Sequence, residues 1–280
     1  MLAPFEIHEP KTVAEASALL THYGDGAAVY AGGTELLVVM KERINHFPHL
    51  INIKTIPGLD RIHLAGDELV IGALATHRTI ANSALVEAAF PALAELERRI
   101  ANVRVRTAGT IGGNLCFAEP HSDPATLLLA LGARFTLESK SGTRTLEAEA
   151  FFTGLLETDR QLNEIMTEIR IPHPPAGAQV AYERFKTHER PSATVAVVLQ
   201  PNGDARIVAG SVAAKPVRLR AAEISLIGTT LNVKTIAWAA KLAHDEIEPT
   251  EDVFESGAYK RHLVQVLVRN ALETAVGEAR

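Results

Sequence analysis

A chain of 280 residues, 47% of them hydrophobic and 22% charged, is long enough for two domains or for one large one with a real core. A net charge of -5 with scattered basic residues argues against a nucleic-acid surface, and no apolar run approaches the length that spans a bilayer. Residues 1–10 lack a signal peptide's charged-then-apolar layout, so the expected location is cytoplasmic.

Thr12-Val-Ala-Glu15 has the form of a capping box, and Val13, Ala16, Leu19 and Leu20 fit one face of the helix behind it. Gly24-Asp-Gly26 stops that helix. Ala27 to Tyr30 reads as a short buried strand running into Ala31-Gly-Gly-Thr-Glu35, where Thr34 is expected to cap a helix reaching about Arg43. Leu50 to Ile53 reads as a strand, and Arg61 to Gly72 as a hairpin turning at Gly66-Asp67. Thr76 should cap a helix over 77–82, and Pro91 to about Ile100 forms another.

The stretch Arg106-Thr-Ala-Gly-Thr-Ile-Gly-Gly-Asn114 reads as a glycine-rich loop. Clustered glycine amides make a concavity of N–H donors suited to phosphate oxygens. Ala31 to Glu35 has the same character, and two such loops far apart in sequence point to one extended anionic ligand held from two sides. Pro124 to Leu131 is a buried helix, followed by a hairpin from Ala133 to Leu146 around Ser141-Gly142 and a strand from Glu164 to Ile171.

Pro172-His-Pro-Pro-Ala-Gly177 marks a domain boundary. Beyond it, Gln179–Lys186, Ala193–Leu199 and Ala205–Ala213 read as strands, and Ala221–Ile227, Leu231–Ala243 and Tyr259–Val276 as helices. Strands followed by helices argue for an α+β domain. Trp238 is expected in its core. Cys116 is the single cysteine, which excludes an internal disulfide and an iron–sulfur centre; any electron transfer here needs an organic cofactor. The eleven histidines show no metal-binding spacing, and His46 and His49 read as surface residues of a loop around Pro48.

Ala31-Gly-Gly-Thr-Glu-Leu-Leu, Met40-Lys and Arg43, with Thr110-Ile-Gly-Gly-Asn-Leu and Asp123-Pro124, resemble the paired signatures of one flavoprotein family. These are the FAD-binding medium subunits of molybdenum hydroxylases, the group that includes xanthine dehydrogenase and carbon monoxide dehydrogenase. The resemblance implies an α+β fold in two parts. Residues 1–176 would form a two-subdomain FAD-binding domain of the vanillyl-alcohol-oxidase-like (PCMH) type. Residues 177–280 would form the small C-terminal domain of the CO dehydrogenase flavoprotein, a three-stranded antiparallel sheet plus helices.

It implies FAD as cofactor, with the molybdenum cofactor on a large partner subunit and [2Fe–2S] clusters on a small one, in a dimer of heterotrimers. The chain would relay electrons and carry neither a catalytic residue nor a metal ligand. Ala31, Gly32, Gly33, Thr34 and Glu35 would wrap the FAD diphosphate through their amides, and Thr110, Gly112, Gly113 and Asn114 would complete the cradle. Asp123 would accept a ribose hydroxyl, Lys186 would lie near the flavin ring, and Met166 or Thr167 would give the ring a backbone contact. Where the xanthine dehydrogenase branch stacks an aromatic residue on the flavin, this sequence has Ile100, which leaves the electron acceptor open.

Plainer readings stand beside these. Gly32-Gly33 can be a tight turn, Thr110 and Asn114 can cap their own segment, Glu35 can offset a helix dipole, Asp123 can cap a helix, and Lys186 can be a solvated lysine. The alternatives for the whole chain are a stand-alone FAD-dependent reductase of the enolpyruvylglucosamine reductase type and a flavin-free scaffold subunit.

Overall fold

The computed structural model describes residues 2–277. The first unit holds β1 (Glu6–His8), α1 (Val13–Tyr23), β2 (Ala27–Tyr30), α2 (Leu36–Lys41) and β3 (His49–Asn52). Its three strands are parallel in the order β1-β3-β2, with Glu6 opposite His49 and Tyr30 opposite Asn52. The capping box forms in altered shape. Thr12 accepts from the Glu15 amide at 3.1 Å, but the Glu15 carboxylate takes the amide of Lys11 at 2.7 Å instead of that of Thr12. Val13, Ala16 and Leu20 then pack on Ile51 and Ile53, joining helix to sheet.

The second unit begins with β4 (Ile62–Ala65), β5 (Glu68–Gly72), α3 (His77–Ala81), α4 (Ala84–Ala89), α5 (Pro91–Arg98), α6 (Val103–Ala108), α7 (Ile111–Phe117) and α8 (Asp123–Ala130). It continues with β6 (Arg134–Ser139), β7 (Gly142–Glu147), α9 (Ala148–Phe151), β8 (Phe152–Gly154), β9 (Glu157–Thr158) and β10 (Ile165–Pro172). Five strands form an antiparallel sheet ordered β4-β5-β10-β6-β7. Leu69, Ile71, Phe135, Leu137, Ile169 and Ile171 put its apolar face into the main core, under Leu93, Ile111, Leu115 and Leu127 from the helices.

The C-terminal unit contains β11 (Gln179–Phe185), β12 (Ala193–Leu199), β13 (Ala205–Gly210), β14 (Val217–Arg218), α10 (Arg220–Leu226), α11 (Val233–Glu246) and α12 (Gly257–Ala275). Its antiparallel sheet has four strands, not the expected three, because the two-residue β14 pairs with β13. So short a strand carries no alternation to read. Every residue of β12 is buried, and the reason is the period of two. Ala193, Val195, Val197 and Leu199 face α10 to α12, while Ala196 and Val198 join the core of the second unit. Gly210 allows the closest approach there, since a Cβ on it would fall 1.9 Å from Thr126 Oγ1 of α8.

Trp238 departs from its expected core position, being 58% exposed. Ile236, Ala239, Ala240 and Ala243 form the buried stripe of α11, and Trp238 lies off that face. Among the described residues no helix is long and apolar enough to cross a membrane.

Candidate functional site

β2 runs out of its sheet into Ala31 and then turns sharply. Gly33 takes φ +72°, a conformation that side-chain-bearing residues rarely adopt. Gly32 lies so close to the end of α6 that a Cβ would meet the Ala108 carbonyl oxygen at 2.3 Å and Gly109 Cα at 2.8 Å. The two glycine-rich segments are therefore pressed against one another. Among the described residues, the amides of Gly32, Gly33, Thr34 and Glu35 find no acceptor within the protein, and the first bond of α2 runs from the Leu37 amide to the Gly33 carbonyl at 3.1 Å. Four successive free N–H groups beside a cavity form a nest for anionic oxygens. Thr34 does not cap α2 as expected; Glu35 holds the cap position without a side-chain bond, and Thr34 lies against Gly109.

The second segment differs from the expected loop. Residues 111–117 form α7, and its leading amides are already used. Ile111 donates to Ala75 at 3.0 Å, Gly112 to Ala73 at 2.9 Å, Gly113 to Thr110 Oγ1 at 3.2 Å and Asn114 to the Thr110 carbonyl at 3.0 Å. It is therefore not a second nest of donors. What it offers the cavity is close backbone packing and side chains: the Thr110 hydroxyl retains its own proton to donate, and the Asn114 amide retains its NH2, its Oδ1 accepting from Ser122 at 2.6 Å.

Between the segments lies a cavity of about 650 Å³, lined by Ala31 to Glu35, by Thr110 and Gly112 to Asn114, and by Met166. That volume is in the range of small-molecule sites. A neighbouring cavity of about 350 Å³ shares Thr34, Glu35, Ile100 and Asn114 as walls and extends to Asp123 and Lys186. All twelve residues named from the sequence thus border one two-part cleft. Ile100 and Met166, both buried, give it apolar wall, and Met166 sits where the register of β10 slips against β6. The Thr167 carbonyl is taken by the Ala73 amide at 2.9 Å, and the strand lines the cavity with Ile165 and Met166.

Asp123 is buried and bound from the C-terminal sheet, accepting from Tyr182 Oη at 2.7 Å and from Arg184 at 3.2 Å. Burial pushes its carboxyl above the ordinary range, although Tyr182 and Arg184 oppose the shift. It stands at the first turn of α8 and makes no cap bond. Lys186 is exposed just beyond β11. Glu35 pairs at 3.4 Å with Arg190, which also reaches Glu119 at 2.8 Å. Burial works to raise the Glu119 carboxyl, but His121 and Arg190 outweigh it and hold it below the usual value.

Cys116 is half-buried in the cleft wall, and burial pushes its thiol up to about 11, so it stays protonated and inert near neutral pH. Arg106 donates to the Ile100 carbonyl at 2.6 Å, holding the chain before α6. Sequence reasoning missed His77 and Arg190. His77 lines the larger cavity and its amide donates to the Gly109 carbonyl at 3.1 Å. A histidine directly after the capping Thr76 was the only local signal for it, and Arg190 had none.

The family model "FAD binding domain in molybdopterin dehydrogenase" matches residues 3–174, and "CO dehydrogenase flavoprotein C-terminal domain" matches 181–275. The carbon monoxide dehydrogenase medium chain of Hydrogenophaga pseudoflava is 38% identical over 282 residues, covering 98% of each chain. The nicotine 6-hydroxylase medium subunit of Paenarthrobacter nicotinovorans is 32% identical, covering 95% of each. In structure, a chain of carbon monoxide dehydrogenase from Hydrogenophaga pseudoflava superposes with a TM-score of 0.95 at 37% identity over all of both chains. A chain of quinoline 2-oxidoreductase from Pseudomonas putida 86 gives 0.93 at 25% identity. With both of its parts matched and its full length covered, the chain belongs to the family of FAD-binding medium subunits of molybdenum-containing hydroxylases.

Proposed function

We propose that this chain is the FAD-carrying electron-transfer subunit of a molybdenum hydroxylase, and that FAD lies along the two-part cleft. The observation that carries the reading is the run of four unpaired amides from Gly32 to Glu35, closed against Gly109 by a contact that no side chain could enter. These amides bind the diphosphate oxygens, with the Thr110 hydroxyl and the Asn114 NH2 as donors from the facing segment. Ile100 and Met166 exclude water from the ring's surroundings, Asp123 offers its remaining lone pairs to a ribose hydroxyl, and Lys186 brings a positive charge to the outer part of the cleft.

Bound there, FAD would supply the acceptor for electrons arriving from the [2Fe–2S] clusters of a small subunit, and the donor to an external acceptor. Among the cleft residues there is no nucleophile activated by a neighbouring base, in keeping with substrate chemistry on a separate large subunit. The proposed assembly is a cytoplasmic dimer of heterotrimers, consistent with a chain whose one cysteine needs no oxidising compartment. The proposed domains are 1–176 and 177–280; the family models stop at 174 and resume at 181, on either side of that break. Their match beyond 181 also favours this reading over a stand-alone reductase.

The test is to purify the complex, denature it, and count the flavin released per medium chain. One FAD per chain, reducible by substrate through the partner subunits, is expected. A colourless complex with full turnover would overturn the proposal, and NADPH-dependent reduction of an enolpyruvyl sugar nucleotide by the isolated chain would replace it.

A further inference from the structure

The parallel pairing of β1 with β3 brings His49 up to Glu6 and His8, from which the sequence keeps it more than forty residues away. Glu6 lies directly opposite His49, and His8, two residues on, projects from the same face of β1. His8 Nε2 stands 3.1 Å from His49 Nδ1, and Glu6 Oε2 lies 3.6 Å from His49 Nδ1 and 3.9 Å from His8 Nε2. One ligand atom from each residue thus falls within a single sphere of metal-binding size.

We propose that Glu6, His8 and His49 form a binding site for a borderline divalent transition-metal ion, with Zn²⁺ as the representative, outside the cofactor cleft. Tetrahedral zinc with bonds of about 2.0–2.1 Å to nitrogen and oxygen sets neighbouring ligand atoms roughly 3.3 Å apart. The two ring nitrogens already stand near that separation, and the flexible Glu6 carboxylate has about half an ångström to close. Glu6 is the exposed member at 73%, against 20% and 23% for the two histidines, so an ion can enter from the Glu6 side.

The rings are held in place. Tyr23, at the end of α1, stacks on His49 with centroids 3.8 Å apart and planes 20° from parallel, and it touches His8 at 4.9 Å. Without an ion the two ring nitrogens stand at hydrogen-bond distance, one donating to the other. Binding needs both lone pairs, so the donor ring takes its other tautomer and no further group has to ionise. Two neutral imidazoles and one carboxylate carry a net charge of -1, attractive to a dication. The donor set selects zinc, nickel or copper, whereas calcium and magnesium need oxygen-rich shells. A bound ion would clamp the edge strand β1 to β3, and would favour the folded state of the first unit.

The test titrates ZnCl2 into the assembled complex, first dialysed to remove loosely bound divalent ions, against a competing chromogenic chelator, beside the His8→Asn/His49→Asn double variant and Glu6→Gln. The expected result is one zinc site per medium chain that the double variant lacks. In Glu6→Gln the affinity falls by at least the roughly tenfold that loss of even an outer-shell partner costs. Magnesium in excess should not compete. Should the double variant fail to fold, Glu6→Gln carries the test, because an exposed carboxylate contributes nothing to packing. An anomalous zinc peak between His8 and His49 in crystals would support the assignment. Equal zinc stoichiometry and affinity in wild type and double variant, an unchanged Glu6→Gln, or a peak elsewhere with none at these residues would overturn it.

Discussion

His77 Nδ1 stands 2.7 Å from Glu97 Oε2, with the two side chains 3% and 0% exposed. The pair supports the corner where α6 passes into α7, because the His77 amide holds the Gly109 carbonyl and Gly109 abuts Gly32. Among the described residues Glu97 Oε1 has no partner, and the carboxylate's bond to His77 is made through Oε2. Glu97→Ala leaves the buried His77 Nδ1 without its partner and should cost about 1–3 kcal/mol, the range for an unsatisfied buried polar group. Glu97→Gln keeps a hydrogen-bonding group beside His77 and should cost less than Glu97→Ala. Urea unfolding of the FAD-free chain measures both; a loss under about 0.5 kcal/mol in Glu97→Ala would show the pair to be without structural consequence.

Gly32→Ala is expected to abolish flavin retention. Its Cβ would meet backbone atoms, the Ala108 carbonyl and Gly109 Cα, which cannot swing aside as a side-chain tip can. The segments must separate, and the free amides lose their place opposite α7. Gly26→Ala is the control, since its Cβ would meet only the Pro48 ring, at an ordinary 3.6 Å from Cγ. Flavin per chain, read from absorbance after desalting, should fall more than about tenfold in Gly32→Ala, the equivalent of about 1.4 kcal/mol, and stay unchanged in the control.

Lys260 is 3% exposed and donates to Asp252, which also accepts the amides of Phe254 and Glu255. Desolvation works to raise the Asp252 carboxyl, but these bonds prevail and hold it at about 2 against an ordinary 3.8. A folded-state value below the unfolded one gives stability that is complete above the unfolded value and disappears as pH falls toward the folded one. Wild type should therefore lose stability between about pH 4 and pH 2 that Asp252→Asn does not lose, roughly 1 kcal/mol once solvent screening is allowed for. Acid titrations followed by circular dichroism measure it; parallel curves would refute the coupling.

Local signals in the sequence went as far as local physics reaches. The strand entering Gly32-Gly33, the hairpin at Gly66-Asp67 and the largely apolar α8 are encoded by residues within a few positions of one another, and they appear where expected. The stretch from Arg106 to Asn114 reads as a loop because its glycines are poor helix formers, yet it runs into α7. Its helix is held instead by the carbonyls of Ala73 and Ala75, over thirty residues away. The same distance hid the clustering of His8 with His49, which depends on strand register, and the pairing of Arg190 with Glu35. The cleft residues were legible as a set, while the division of labour between a segment with free amides and one with its amides used was not.

Tyr182 joins the two parts of the molecule by donating its hydroxyl to Asp123 at 2.7 Å. Burial, and next to it the Asp123 charge, raise the Tyr182 hydroxyl well above 10, so it remains a donor throughout the accessible range. Tyr182→Phe should cost about 1.5–3 kcal/mol, the range for a hydrogen bond to a charged group, with flavin affinity reduced through Asp123. The pH dependence separates this from lost packing. Asp123 is already raised by burial, and without Tyr182 its folded value rises further. For an acid raised in the folded state, stability is complete below the unfolded value and is lost as pH climbs through the folded one. The gap between wild type and Tyr182→Phe should therefore be wider at pH 7 than at pH 4 in thermal melts, because only the ionised carboxylate suffers fully from the missing donor. Equal gaps at the two pH values would mean that the ring's packing, and not its bond to Asp123, holds the C-terminal sheet to the FAD-binding part.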